Sequence, residues 1–199
     1  ELIDLVTRLF VSPGDSIMIS SPTFGMYSFS ASVAGARVID VPRNHDDFSL
    51  DVAGILDLIK DAKLMFIASP NNPTGNTTDN ADLRTILDTG IPLVVDEAYI
   101  EFSEGGSSSL LEEYSNLMIL RTFSKWAGLA GLRVGYGLFP EDIASLLMRV
   151  KPPYSVSTLA QAAATKALDN FEQSAEQLRI IVSERSKMFS SLKAMADLK

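Results

Sequence analysis

Cysteine is absent from the 199-residue chain, and histidine occurs once. The first absence removes disulfide frameworks, thiolate metal sites and cysteine nucleophiles together, and it fits a reducing compartment. The second leaves little room for a Ser-His-Asp hydrolase. His45 lies in the polar connection Arg43-Asn44-His45-Asp46-Asp47-Phe48, remote in sequence from Ser124, and reads as a surface-loop residue with no metal or catalytic role. Positive charge is also scarce. Seventeen Lys and Arg against twenty-five Asp and Glu give a formal net charge of -8, which argues against nonspecific nucleic-acid binding and leaves only a local basic pocket open. No apolar run approaches ~18 residues, so no membrane span is predicted. Neither a complete Walker A sequence nor a dinucleotide glycine fingerprint occurs.

What is present is an ordinary globular composition, 46% hydrophobic and 21% charged, enough for one sizeable core. Short apolar or β-branched runs recur at Ser16 to Ser20, Arg37 to Val41, Leu64 to Ala68, Leu93 to Val95, Leu117 to Leu120 and Val134 to Leu138. They are predicted as strands, several buried on both faces. Helical patterns lie between them at Thr23 to Ala34, Asp51 to Lys60, Asp79 to Asp88 and Pro140 to Val150. This alternation predicts an α/β fold, a mostly parallel sheet with helices on both faces. After about residue 155 strand signals stop, and Leu178, Ile181, Val182, Arg185, Met188, Phe189, Leu192 and Met195 follow helical spacing. Residues 1–170 are therefore expected to form the sheet domain, and 171–199 a long amphipathic helix leading to a second domain. The chain opens at Glu1 inside a helical pattern and ends at Lys199 inside another, the organisation expected of a piece of a longer protein. Gly105 to Ser109 reads as a mobile loop, and Met18, Met26, Met65 and Met118 as core filler.

Ligands of open α/β sheets collect beyond the carboxyl ends of the strands. Three runs end in reactive side chains: Ser69-Pro70-Asn71-Asn72-Pro73-Thr74-Gly75, Asp96-Glu97-Ala98-Tyr99 and Arg121-Thr122-Phe123-Ser124-Lys125. Singly, these read as a turn, a helix cap and a solvated lysine. Together, an amide, a carboxylate, a phenol and an amine at one sheet edge suit pyridoxal phosphate, whose site needs a lysine for the Schiff base and an acidic partner for the pyridine nitrogen. Asp96 is the candidate for that nitrogen, and Asn72 and Tyr99 for the ring hydroxyl. Lys125 needs a desolvated, cation-rich pocket to be nucleophilic near neutral pH. Thr122 and Ser124 offer hydroxyls to a phosphate, and Arg133 in Gly131-Leu132-Arg133-Val134-Gly135 offers a planar cationic fork.

Order and spacing of these motifs across Ser12 to Asn170, including Asp96 to Phe102 and Arg121 to Tyr136 (RTFSKWAGLAGLRVGY), resemble the fold-type I, class I/II aminotransferases, most closely the plant-like histidinol-phosphate type. The resemblance implies a truncated fold-type I large domain with only the start of the small domain. It implies Lys125, Asp96 and Tyr99 as the catalytic set, and Lys125, Asp96, Asn72, Tyr99, Thr122, Ser124, Arg133 and Phe24 as cofactor-binding residues, with Phe24 in Pro22-Thr23-Phe24-Gly25-Met26-Tyr27 stacking on the cofactor ring. Without the resemblance Phe24 would be read as core packing.

It further implies transamination between histidinol phosphate and 2-oxoglutarate, giving imidazole acetol phosphate and L-glutamate, with Lys125 as both anchor and general base. A homodimer is expected of the full protein, in a plastid stroma or a bacterial cytoplasm. Related readings are an aminotransferase for aromatic or other amino acids, a threonine-phosphate decarboxylase, a non-catalytic module that binds the cofactor as a sensor, and an inactive piece. Tandem Pro152-Pro153-Tyr154 and Phe24 favour the histidinol-phosphate type by resemblance. Two family features fall outside the chain: the helix N-terminus beneath the cofactor phosphate, before Glu1, and the arginine for the substrate carboxylate, in the small domain. The piece alone is thus expected to be impaired. Trp126 stands where a smaller or basic residue is expected and is predicted to alter the pocket wall.

Overall fold

Each apolar run becomes a strand at nearly the expected bounds. The computed structural model describes residues 1–195; Ala196 to Lys199, the end of the expected terminal helix, lie outside the described residues. The strands are β1 (Ser16–Ile19), β2 (Arg37–Asp40), β3 (Leu64–Ala68), β4 (Leu93–Asp96), β5 (Leu117–Thr122) and β6 (Gly135–Leu138). They form one sheet in the order β2-β1-β3-β4-β5-β6. The first five are parallel, and β6 runs antiparallel to β5, pairing Gly135 with Thr122. The sheet is thus mostly parallel, as the strand and helix alternation implied.

The described chain divides into two compact units. The first, Glu1–Thr122 with Gly135–Ser155, holds the whole sheet together with α1 (Leu2–Phe10), α2 (Met26–Val33), α3 (Val52–Leu58), α4 (Asn80–Leu87) and α5 (Glu141–Val150). Because side chains alternate across a strand, each central strand feeds two cores. Met18, Met65, Ile67, Leu93, Val95, Leu117 and Ile119 meet Ile55, Leu83, Ile86 and Leu87 of α3 and α4. Ile17, Ile19, Leu64, Phe66, Val94, Met118 and Leu120 point the other way, to Leu5 and Val6 of α1, Tyr27 and Ala31 of α2 and Leu147 of α5. Burying each such large aliphatic side chain contributes roughly 1.5–3 kcal/mol. Asp51 and Asp79 start α3 and α4 by accepting the backbone N–H of Gly54 and Ala81.

Two local expectations change. Met26 is 41% exposed on α2, unlike the fully buried Met18, Met65 and Met118, because the inward face of that helix is taken by Tyr27, Ser30 and Ala31. The Gly105 to Ser109 stretch is anchored: Ser107 is buried, its N–H and hydroxyl both donate to Glu97, and a 3-10 turn follows at Ser108–Glu112. The tail holds two helices, α6 (Thr158–Asp169) and α7 (Phe171–Lys193), divided at Asn170. Both belong to the second unit, which comprises Phe123–Val134 and the residues from Val156 onward.

Candidate active site

The order β2-β1-β3 places the topological switch of the sheet between β1 and β3, where open α/β folds form their ligand crevice. The two loops leaving those strands meet there. The amide of Asn71 donates to the Pro22 carbonyl (2.9 Å) and to the Thr74 hydroxyl (2.8 Å), and its oxygen accepts from the Thr23 hydroxyl (2.9 Å). The loop closes with the Gly75 N–H on the Asn71 carbonyl at 2.8 Å, Gly75 taking a positive φ of 78°. The Ser21-Pro22, Ser69-Pro70 and Asn72-Pro73 peptide bonds are cis. Asn71 is consumed by this loop lock, whereas the half-buried Asn72 makes no side-chain hydrogen bond among the described residues. Phe24, 39% exposed, follows directly on the β1 side.

At the end of β4 the apolar run gives way to Asp96, in register with Ala68 of β3 and Leu120 of β5. Its carboxylate accepts the Tyr27 hydroxyl at 2.8 Å and the Ala98 N–H at 3.1 Å. Burial pushes the Asp96 carboxyl above the ordinary carboxylate range; the Tyr27 and Ala98 donors pull it back, and the Glu97 charge raises it again. Burial, followed by the charge and the hydrogen bond of Asp96, holds the Tyr27 phenol well above its usual pKa, while Arg43 acts in the opposite direction. The Tyr27 hydroxyl therefore stays protonated and donates. Tyr27 stacks on Phe66 (centroids 4.9 Å, 7° between planes) and meets Phe24 edge-on at 5.8 Å.

Next to Asp96, Glu97 is 1% exposed and paired with Arg121 of β5, through Nε at 2.9 Å and Nη2 at 2.7 Å. With both Ser107 donors on its other oxygen, Glu97 is fully engaged. This bidentate pair ties the residue after β4 to β5, whose last residue is Thr122. Of the predicted residues, Phe24, Asn72, Asp96, Tyr99 and Thr122 thus belong to the carboxyl edge of the first unit.

Ser124, Lys125 and Arg133 belong to the Phe123–Val134 segment of the second unit. That segment is closed on itself by Phe123 N–H to Val134 O (3.2 Å), Leu129 N–H to Phe123 O (3.1 Å) and Gly128 N–H to Lys125 O (3.2 Å). Arg133 adopts a left-handed conformation (φ 54°) and donates Nη1 to the Ala130 carbonyl at 2.9 Å. Lys125 and Arg133 are exposed. Trp126 is 8% exposed, its ring packed against Phe123 (5.5 Å) and Phe171 (5.4 Å), so the unusual residue after Lys125 serves the core of its own unit.

The sequence reading overlooked Tyr27, Asn71 and the Glu97–Arg121 pair. Tyr27 and Asp96 are 69 residues apart, and a tyrosine on the inner face of a helix reads as core. His45 sits in an exposed turn beside Asp46. A separate cavity of about 440 Å³, bounded by Ser69, Asp79, Leu83, Ile100 and Ser107, includes none of the predicted site residues. Among the described residues no His, Asp and Glu cluster could hold a metal ion, and no helix is long and apolar enough to cross a membrane.

The family model for class I and II aminotransferases matches residues 1–199. The chain belongs to that family. It is 48% identical over 200 residues to the histidinol-phosphate aminotransferase of Dehalococcoides mccartyi, covering 100% of this chain and 56% of that one. It is 49% identical over 197 residues to the chloroplastic histidinol-phosphate aminotransferase of Nicotiana tabacum, covering 97% of this chain and 47% of the relative. The solved histidinol-phosphate aminotransferase of Sinorhizobium meliloti in complex with pyridoxal-5'-phosphate superposes with a TM-score of 0.84 at 28% identity, over 94% of this chain and 53% of that one. The chain spans about half the length of the curated relatives it matches. Its mostly parallel sheet is the fold-type I aminotransferase arrangement, and its relatives include bacterial and chloroplastic enzymes.

Proposed function

We propose that the full-length protein is a pyridoxal-phosphate-dependent aminotransferase that moves an amino group from histidinol phosphate to 2-oxoglutarate, giving imidazole acetol phosphate and L-glutamate. The observation that carries the reading is the Asp96 carboxylate. It lies at the end of a central strand, raised above the ordinary carboxylate range by burial and oriented by two donors. A cationic ring nitrogen arriving there offsets the cost of burying that charge, so the residues fit a protonated pyridine. The unengaged amide of Asn72 and the exposed aromatic face of Phe24 fit the same ring.

When bound, pyridoxal phosphate supplies a carbonyl that an amine can attack and a protonated ring that draws in the electron pair released at the substrate Cα. Asp96 holds the proton on the ring nitrogen. Asn72 and Tyr99 donate to the ring hydroxyl, and Phe24 covers one ring face. Thr122, Ser124 and Arg133 bind the phosphate through two hydroxyls and a fixed cation. Lys125 would anchor the cofactor through its amine, and the same amine, when free, would act as the base that takes the proton from the substrate Cα.

A homodimer is part of the proposal. Met26, Phe29 and Val33 stay exposed on α2, the helix that follows Phe24, an apolar face that suits a second copy. A plastid stroma or a bacterial cytoplasm is the compartment that the named relatives support.

Substrate profiling of the full-length protein tests the reaction. With 2-oxoglutarate as acceptor, histidinol phosphate is expected to give a kcat/KM about 100-fold or more above those of phenylalanine and tyrosine, in line with a site built for a charged phosphate. Equal or reversed preference would contradict the substrate assignment and leave an aromatic aminotransferase.

A further inference from the structure

Two oxygens of Asp96 take two different donors: Oδ2 accepts the Tyr27 hydroxyl at 2.8 Å, and Oδ1 accepts the Ala98 N–H at 3.1 Å. Turning the carboxylate about its own axis would break both bonds, so its plane is fixed. Tyr27 is itself fixed on several sides. It is fully buried, stacks on Phe66 from β3, and meets Phe24 edge-on at 5.8 Å. One side chain thus touches both the aromatic expected to cover the cofactor ring and the carboxylate expected at its nitrogen.

We propose, resting on the pyridoxal-phosphate reading above, that Tyr27 is the positioning residue of the cofactor site. Its hydroxyl aims the Asp96 carboxylate, and its ring edge sets Phe24, so a flat cationic ring finds its partner and its stacking face already in place. The hydroxyl has a second effect. A donor to a carboxylate favours the ionised form, so Tyr27 keeps Asp96 charged in surroundings that oppose charge. The other groups acting on this pair are Glu97 on the strand end beside Asp96 and Arg43 from the connection after β2. Arg43 is 6% exposed and held by the carbonyls of Phe48 (3.0 Å) and Ala68 (3.4 Å). Neither replaces the phenol, because the direct hydrogen bond to Asp96 Oδ2 comes from Tyr27.

Tyr27→Phe tests this in the full-length protein, since it removes the hydroxyl and keeps the ring on Phe66 and Phe24. Apoprotein is titrated with pyridoxal phosphate for wild type, Tyr27→Phe, Asp96→Asn and the double variant, at about pH 8 and about pH 6. Tyr27→Phe is expected to weaken cofactor affinity roughly tenfold, the size of a lost hydrogen bond to a charged group. The loss grows at the lower pH, where Asp96 without its donor takes up a proton more readily. In the Asp96→Asn background the same substitution should cost less than about twofold, because its effect passes through the carboxylate. Phe66→Leu, which loosens the same ring and keeps the hydroxyl, is expected to leave the pH dependence unchanged. Circular dichroism reads folding separately. An unchanged affinity in Tyr27→Phe, or an equal loss with and without the Asp96 carboxylate, would overturn the proposal. A wild-type protein that forms no Lys125-dependent absorption band with pyridoxal phosphate would overturn the cofactor reading itself, and the role of Tyr27 with it.

Discussion

At Asp96 burial and hydrogen bonding pull in opposite directions, and burial is the stronger. The folded chain therefore holds the Asp96 proton more tightly than the unfolded chain does. Such a group contributes stability below the unfolded carboxylate pKa of about 3.9 that is lost as pH rises through the raised folded value. In cofactor-free protein, Asp96→Asn is expected to escape that loss. Its stability relative to wild type, read by urea unfolding, should rise between about pH 4 and about pH 7. A difference that is flat or falls with pH would mean that burial does not govern this carboxyl. The same residue shows what a sequence can convey. A carboxylate closing an apolar strand marks a ligand edge, which made Asp96, Asn72 and Lys125 visible as candidates. The family motif singled out Asn72, but residue chemistry alone does not separate it from Asn71, which is spent on Pro22, Thr23 and Thr74. Tyr27 was hidden for another reason: its partner is distant in sequence, and only the packing of α2 on the sheet brings the two together.

Elements were easier to read than residues, because alternation and helical spacing are local properties. β3 matches its expected bounds, and β1, β4 and β5 differ only at their ends. The direction of β6 was not legible, since an apolar run carries no sign of whether its neighbour runs parallel. That direction matters at the site edge. The antiparallel pair brings Gly135 against Thr122, and a Cβ on Gly135 would lie 2.8 Å from the Arg121 carbonyl oxygen, a backbone atom that cannot swing away. Gly135→Ala is expected to cost roughly 1–3 kcal/mol in urea unfolding, the range for overpacking a tight site. Because the strain falls on the strand end that carries Thr122, cofactor affinity should drop with it. Unaltered stability would show that β5 and β6 separate there at little cost. α2 began later than its pattern implied, at Met26, because Pro22 and Thr23 are held by Asn71 in the loop lock.

For the whole molecule, composition and charge excluded many classes of function, and the motif order gave the family that the comparison then established over residues 1–199. What the sequence did not convey is the division of the chain. Asp96 and its companions lie in the sheet unit, while Ser124, Lys125 and Arg133 lie in a segment that clusters with α6 and α7. No periodicity signals that a short stretch between two paired strands belongs with a distant helical tail. The account rests on Lys125 carrying the cofactor, and the direct test is the absorbance of the full-length protein with pyridoxal phosphate, followed by borohydride reduction and peptide mapping. Wild type is expected to show a visible band that Lys125→Ala lacks, and reduction should leave the label on the peptide containing Lys125. A band that survives Lys125→Ala, or a label on another lysine such as Lys151 or Lys166, would contradict the account.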